Sequence, residues 1–281
     1  MKRILVIALS VVLAVSAFAA CSNDSTSIYV ISREDGSGTR SAFTELLGIV
    51  DENENDATVG SAEKVTSTST VITTVAGNKL AIGYISLGSL SDSVKAVSVD
   101  GVAPSVENVK NGTYKIARPF NICYKEDTLS ELASDFVKFI LSKEGQNVIN
   151  ENGYIMVSEN AESYTASGLT GKITLAGSTS VSPVMDKLAD AYKTLNANVE
   201  IEIQQSGSGA GIESATEGAC DIGMSSRELK DTELATLKSV KIADDGIAVI
   251  VNKENTVSNL TSEQIKNIYL GKLTDWSEIS E

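Results

Sequence analysis

The stretch Arg33-Glu34-Asp35-Gly36-Ser37-Gly38-Thr39-Arg40 follows an extended apolar run at residues 27–31 and precedes an amphipathic helical pattern. It places a guanidinium, two hydroxyls and a glycine-freed backbone on one tight turn. The first turn of a helix carries unpaired N–H groups and roughly half a positive charge, so it attracts a dehydrated anion. The stretch therefore predicts a strand, a turn and a helix start that together grip a small oxyanion.

Two further loops have the same chemistry and the same place between an extended run and a helical pattern. They are Gly177-Ser178-Thr179-Ser180-Val181-Ser182-Pro183 and Ser206-Gly207-Ser208-Gly209-Ala210-Gly211. One such turn is usually only a helix cap, but three of them together with Arg33 favour a binding site. Strand and helix patterns alternate along the chain, which predicts an α/β fold with mostly parallel sheets.

Local signals mark helix starts and one linker. Thr261 with Gln264, and Thr128 with Glu131, form capping-box patterns before apolar stripes. Residues 158–172 are polar and lack an apolar period, which predicts a linker between two halves of the chain. At 281 residues the chain is longer than a typical single domain of about 100–150 residues, so we expect two lobes.

The charge and the missing residue types exclude several functions. The formal net charge of −14 repels polyanions, so nucleic acid is not an expected partner. The chain has no histidine, which removes Ser-His-Asp catalysis, Cys-His catalysis and histidine-ligated zinc. We therefore expect no enzyme, no metal and no cofactor, and a phosphoester hydrolase is disfavoured.

The N-terminus has the composition of an export signal. Lys2 and Arg3 precede an apolar stretch at residues 4–15 and a small-residue exit, which predicts a signal peptide over residues 1–20. The junction Ala19-Ala20-Cys21 resembles the lipobox of bacterial lipoproteins, whose cysteine is acylated, and implies a lipid-anchored tether over residues 21–27. Phe18 departs from the usual leucine of that motif, and ordinary secretion is the alternative. Cys123 and Cys220 are expected to be buried thiols, with a bridge between them as the alternative.

Four motifs together resemble the phosphate-binding proteins that feed bacterial ABC importers. The matching segments are residues 174–183, 206–212, 221–227 and 33–39. The resemblance implies a type II periplasmic-binding-protein fold, in which two α/β lobes enclose a ligand cleft. It implies a protein at the extracytoplasmic face of the cell membrane that captures inorganic phosphate for ABC permease and ATPase subunits.

The order of the segments differs from that of the family. Here the segment at residues 172–281 follows the one at residues 28–157, whereas the family has the reverse order, so the chain looks like a circular permutant. Half-domains from tandem copies and a mis-assembled reading frame are the alternatives. The expected lobes are residues 114–246, and residues 28–113 joined in space to 247–281. A monomer is expected, with a swapped dimer as the alternative.

The resemblance also assigns the ligand contacts. They fall on Thr179, Ser180, Ser208, Ser226, Arg33, Ser37, Gly38 and Thr39, with Ser178, Gly209 and Arg227 as further candidates. Many members of the family carry an aspartate at the position of Ser226, where it accepts the proton of phosphate and rejects sulfate. Asp221, Glu34 and Asp35 are candidates to replace that acceptor, although Asp35 is also expected as an ion-pair partner of Arg33. Sulfate, molybdate and a sensor role without transport remain alternatives.

Overall fold

A computed structural model describes residues 26–279 of the chain. The predicted signal peptide, and Cys21 with most of its tether, lie outside the described residues. Within that range the strands are β1 (Tyr29–Arg33), β2 (Glu63–Val65), β3 (Ala81–Ser86), β4 (Lys95–Ala96), β5 (Ser98–Val99), β6 (Ala117–Tyr124), β7 (Ile155–Met156), β8 (Gly171–Gly177), β9 (Val199–Gln205), β10 (Ile222–Ser225), β11 (Lys238–Val251) and β12 (Asn259–Leu260).

Residues 26–279 contain nine α-helices, and at six of these a serine or threonine side chain accepts an N–H of the first turn. The nine are α1 (Gly38–Leu47), α2 (Thr68–Gly77), α3 (Val106–Lys110), α4 (Glu131–Leu141), α5 (Lys143–Glu151), α6 (Ser182–Leu195), α7 (Ser208–Glu217), α8 (Asp231–Leu234) and α9 (Ser262–Tyr269). The predicted capping box of Thr261 and Gln264 is confirmed at α9. The one at Thr128 is wrong, because Ser130 accepts the N–H of Ala133 and starts α4 two residues later.

One large sheet carries strands in the order β2-β1-β3-β11-β6-β10-β8-β9. The neighbours β2, β1 and β3 are parallel, and so are β10, β8 and β9. The central neighbours β3, β11, β6 and β10 are antiparallel, which the strand–helix alternation did not predict. The long β11 pairs with β6 along one part of its length and with β3 along the other.

Two large apolar cores and one small apolar cluster around Cys123 lie on this framework. The first core consists of buried side chains in residues 31–116, at residue 155 and in residues 247–269. The second core consists of buried side chains in residues 120–154 and 173–243. Only β6 and β11 pass from one core to the other, among the strands in residues 26–279. We call β6 and β11 the crossover strands.

The two ends of the described chain lie side by side on the first core. Ser27 and Asp275 form an isolated antiparallel bridge. The N–H of Ile28 donates to the carbonyl of Thr274 at 2.8 Å, and the N–H of Trp276 donates to that of Thr26 at 2.9 Å. No helix in residues 26–279 has the length and apolar character needed to cross a bilayer.

The thiols differ in their surroundings. Cys123 is buried, as expected, whereas Cys220 is only half-buried, and both are free. Burial raises the pKa of Cys123 to about 12 and that of Cys220 to about 11, so neither is an activated thiolate.

A buried carboxylate fastens the segment at residues 158–172 to the second core. The hydroxyls of Tyr164, Ser167 and Tyr192 all donate to Asp135 Oδ2, at 2.5, 2.8 and 2.8 Å. The Tyr164 ring also packs edge-on against Phe139, with ring centroids 5.2 Å apart. The polar residues of this segment therefore hold it against the second core, because its hydroxyls donate to a carboxylate that would otherwise be buried with fewer partners.

We predict that Tyr164→Phe lowers the free energy of unfolding by about 1 to 2 kcal/mol, because it removes a hydrogen bond to the buried Asp135 carboxylate and one accepted from Asn196 Nδ2, and keeps the ring. Urea unfolding followed by circular dichroism measures the change. Tyr29→Phe is the matched control, since its hydroxyl meets Glu63 at the exposed surface, and it should cost less than about 0.5 kcal/mol. Equal effects of the two substitutions would contradict the fastening role.

Candidate anion site

The three predicted loops converge between the two cores. Arg33 ends β1, Gly177 ends β8, and Ser226 directly follows β10, while α1, α6 and α7 begin close by. Within this cluster the side chains of Arg33, Ser37, Thr39, Ser178, Thr179, Ser180, Ser208 and Ser226 are all at most 5% exposed. Polar groups from opposite halves of the molecule thus face one another away from solvent.

Arg33 links the two cores through its guanidinium. Its Nε and Nη2 donate to the two carboxylate oxygens of Glu34, each at 2.7 Å, and Nη2 also donates to Thr179 Oγ1 at 2.9 Å. The N–H of Arg33 donates to the hydroxyl of Tyr84 at 3.2 Å. Burial raises the pKa of Tyr84 to about 12, so that hydroxyl stays neutral near the cation.

The expected ion pair between Arg33 and Asp35 is wrong. Asp35 instead pairs with Arg40 and with Lys64, and its side chain is 79% exposed. Arg40 is also held by Asp56 and by the carbonyl of Arg33. The carboxylate that accompanies the Arg33 guanidinium is therefore Glu34.

A set of hydroxyls completes the contact between the halves. Thr39 Oγ1 lies 2.7 Å from Ser180 Oγ and 3.5 Å from Ser226 Oγ. Ser208 Oγ lies 3.3 Å from Ser226 Oγ and accepts the N–H of Ser226 at 3.2 Å. Each hydroxyl can donate or accept, so the set can offer either its hydrogens or its lone pairs to a ligand.

Two glycines let the backbones approach closely. A Cβ at Gly38 would lie 2.5 Å from Ser208 Oγ and 2.8 Å from Ser226 Oγ. The N–H of Gly209 donates to the carbonyl of Gly36 at 3.0 Å, which joins the loop before α1 to the start of α7. Gly38, in the first turn of α1, therefore lies so close to Ser208 and Ser226 that a Cβ would fit there only by displacing them.

Ser37 and Ser178 are held by their own loops. Ser37 Oγ accepts the N–H of Arg40 as the cap of α1, and Ser178 Oγ accepts the N–H groups of Ser180 and Val181. Both residues lie in the cluster, yet each hydroxyl uses part of its hydrogen-bonding capacity to hold its own turn.

The sequence analysis missed Thr68 at the start of α2. Its hydroxyl lies 3.2 Å from Ser180 Oγ and 3.5 Å from the Arg33 guanidinium, and its side chain is buried. The sequence feature that could have indicated this helix start is Ser67, which caps α2 by accepting the N–H of Thr70. This is a fourth strand–turn–helix junction, but its turn has no glycine.

Two predicted candidates do not join the cluster. Arg227 Nη1 and Nη2 donate to the two carboxylate oxygens of Glu233, each at 2.8 Å, and this pairing raises the pKa of Arg227 and lowers that of Glu233. Asp221 Oδ2 accepts the N–H and the hydroxyl of Thr174 within the second core. Glu34 is the one of the three proposed acidic acceptors that contacts the cluster.

Comparisons with known proteins give consistent matches. The model of the PBP superfamily domain matches residues 16–144 and 162–280. A relative from Streptococcus agalactiae, named phosphate-binding protein PstS 2, is 48% identical over 290 residues, which cover 100% of this chain and 99% of that protein. A relative of the same name from Streptococcus pneumoniae is 46% identical and covers 92% of this chain and 93% of its own length.

A solved structure agrees with these matches. The crystal structure of a phosphate ABC transporter, phosphate-binding protein, from Streptococcus pneumoniae TIGR4 has a TM-score of 0.72 and 47% sequence identity. It covers 90% of this chain and 100% of its own.

We predict that Gly38→Ala drives the two halves apart, because the new methyl group would overlap Ser208 and Ser226. The substitution should cost about 1 to 3 kcal/mol of unfolding free energy and increase the radius of gyration measured by small-angle X-ray scattering. Gly60→Ala is the control, because nothing lies within 4 Å of the added Cβ. A Gly38→Ala protein with the radius and stability of the Gly60→Ala protein would refute the close approach.

Proposed function

We propose that this chain, which belongs to the PBP superfamily and within it to the phosphate-binding proteins of ABC transporters, captures inorganic phosphate outside the cytoplasm and delivers it to a membrane permease. The relatives reported above are named for phosphate binding and transport. We therefore propose a binding protein with no chemical step of its own.

The observation that carries the proposal is the donor set shared by the two halves. The first core supplies Arg33 and the start of α1, and the second core supplies Thr179, Ser180, Ser208 and Ser226. A tetrahedral anion with four oxygens needs many donors from several directions, and this arrangement offers hydroxyls, a guanidinium and helix-start N–H groups. We assign the ligand contacts to these groups, with Ser37, Gly38 and Thr39 acting at the first turn of α1.

The site works in an acidic protein because its hydrogen bonds are removed from water. Arg33 and Glu34 form an ion pair, so this pair adds little net charge to the cluster. Binding strength must come from short, charge-assisted hydrogen bonds in a low-dielectric environment. The two halves already meet at the site, so an anion would enter when they open about the crossover strands and would be enclosed when they close, a hinge motion.

We predict that Arg33→Ala raises the dissociation constant for phosphate by about 100-fold or more, because it removes a buried charged donor and leaves Glu34 without its partner. Isothermal titration calorimetry with inorganic phosphate measures the change. Lys64→Ala, which removes a cation from the exposed Asp35 pair, should bind as the wild type does. Absence of heat with the wild-type protein, or wild-type affinity in Arg33→Ala, would overturn the proposed function.

Selectivity is the finer part of the proposal. Ser226 Oγ can donate to either anion, so its hydroxyl alone gives little repulsion of fully ionised sulfate. Glu34 is a carboxylate at the cluster, but both of its oxygens are engaged by Arg33. We propose that phosphate is bound in preference to sulfate or molybdate by a smaller margin than in relatives with an aspartate at this position.

We predict that Ser226→Asp raises the ratio of the sulfate to the phosphate dissociation constant by about tenfold or more, because a carboxylate accepts the phosphate proton and repels sulfate. Competition titrations with both anions measure the ratio. Ser226→Ala is the control, since it removes the hydroxyl without adding an acceptor and should weaken both anions similarly. An unchanged ratio in Ser226→Asp would contradict the role given to position 226.

We propose that the mature protein is a monomer tethered to the extracytoplasmic face of the cell membrane through acylated Cys21. The lipobox-like junction and the apolar stretch before it support this location.

We also propose that the unusual segment order is native. The match to the Streptococcus agalactiae relative runs through both whole chains, and the described ends meet at the Ser27–Asp275 bridge, as a circular permutant requires.

A further inference from the structure

A buried ion pair joins the two crossover strands. Arg118 of β6 and Asp245 of β11 are direct neighbours in the antiparallel register. Arg118 Nη2 and Nε lie 3.1 and 3.3 Å from Asp245 Oδ2, and both side chains are 1% exposed. The pair lies where the apolar contacts change from the second core to the first, between Phe120 on β6 and Ile116 just before that strand.

The pair reaches one residue in each half of the molecule. Arg118 Nη1 donates to the carbonyl of Ser226 at 3.3 Å, so it holds the main chain of a residue in the anion site. Ser86 Oγ, at the end of β3, donates to Asp245 Oδ1 at 2.8 Å. The ring of Phe120 lies under the Arg118 guanidinium at 5.2 Å. The ion pair thus bridges the loop after β10 and the end of β3.

Stability alone does not account for such a pair. Removing two charges from water costs free energy that their attraction often fails to recover, and apolar residues of similar volume are frequently as stable. The presence of an ion pair at this place is better explained by a role in holding the groups around it in a fixed geometry.

We propose that Arg118 and Asp245 are positioning residues that orient Ser226 toward the anion and tie that orientation to the arrangement of the two crossover strands. The inference rests on the proposed function. Neither residue needs to touch the anion: Arg118 acts through the carbonyl of Ser226, and Asp245 acts through Arg118 and Ser86.

The charges around the pair make its effect depend on pH. Burial raises the pKa of Asp245 to about 6, while Arg118 and the Ser86 hydroxyl oppose the shift. The tyrosines Tyr154 and Tyr114 also face Asp245, and burial raises the pKa of each of them, so both stay neutral. Asp245 is therefore ionised at pH 7.5 and protonated at pH 5.

Arg118 keeps its charge over this range. Burial lowers its pKa, as does the neighbouring cation Arg33, while Asp245 raises it, and an arginine stays protonated near neutral pH. Protonation of Asp245 then removes the negative charge that holds the Arg118 guanidinium in place. The positioning effect should fade as the pH falls from 7.5 to 5.

The test compares Asp245→Asn with the wild type by phosphate calorimetry at both pH values. We expect the dissociation constant of Asp245→Asn to exceed that of the wild type by about tenfold at pH 7.5. The ratio should approach one at pH 5.0, where the wild-type carboxyl is also neutral. Phosphate itself titrates in this range, but the ratio of the two constants at each pH cancels that effect.

Unfolding measurements separate positioning from a structural role. Because the folded-state pKa of Asp245 is raised above its unfolded value, its ionisation destabilises the wild type as the pH rises through about 6. Any loss of stability in Asp245→Asn is therefore largest at pH 5 and smaller at pH 7.5. The expected loss of affinity follows the opposite trend, which a structural defect would not produce.

Further variants keep the test decisive if Asp245→Asn folds poorly. Ser86→Ala removes the contact with β3 and leaves both charges, and Arg118→Lys keeps the charge and removes the fork; both should weaken phosphate binding. Asp135→Asn is the matched control, a buried carboxylate in the second core away from the anion site, and should keep wild-type affinity. Wild-type protein that fails to bind phosphate refutes the proposed function. Wild-type protein that binds, with Asp245→Asn, Arg118→Lys and Ser86→Ala all within twofold of it, refutes the positioning role.

Discussion

The Arg33 guanidinium donates to Thr179 across the boundary between the two cores, and the arrangement of the site depends on this contact. A buried guanidinium must find acceptors for its N–H groups, and here Glu34 and Thr68 of the first half and Thr179 of the second supply them. The same requirement brings the hydroxyls of Thr39 and Ser180 together. Satisfying one buried cation thus sets the register in which the helix starts of both halves face each other.

The local part of this site was visible in the sequence, and the non-local part was not. The Gly/Ser/Thr turns indicate their own backbone geometry, so the loops around Thr39, Thr179 and Ser208 could be predicted from the sequence. The structure brings these three loops together. Thr68 was missed because its turn is capped by a serine and needs no glycine. The choice of Glu34 over Asp35 depends on Arg40, which takes Asp35 once α1 has folded. Such competition between neighbouring carboxylates cannot be read from spacing.

The centre of the sheet was also beyond sequence reasoning. Alternating strand and helix patterns predicted parallel pairing, and this holds at both edges, where helices connect neighbouring strands. The crossover strands come from distant parts of the chain, with Arg118 and Asp245 127 positions apart, so no local connection indicates their antiparallel pairing. The ion pair between these two residues therefore has no local signature, and the division of the chain into lobes at residues 113 and 246 stays a prediction.

The bridge between Ser27 and Asp275 has a mechanical consequence. Whatever precedes residue 26 or follows residue 279 leaves from the first core, so a pull on either end acts first on that half. The second core receives such a pull through β6 and β11 and through the contacts of the anion site, such as those of Thr179 with Arg33 and of Ser180 with Thr39.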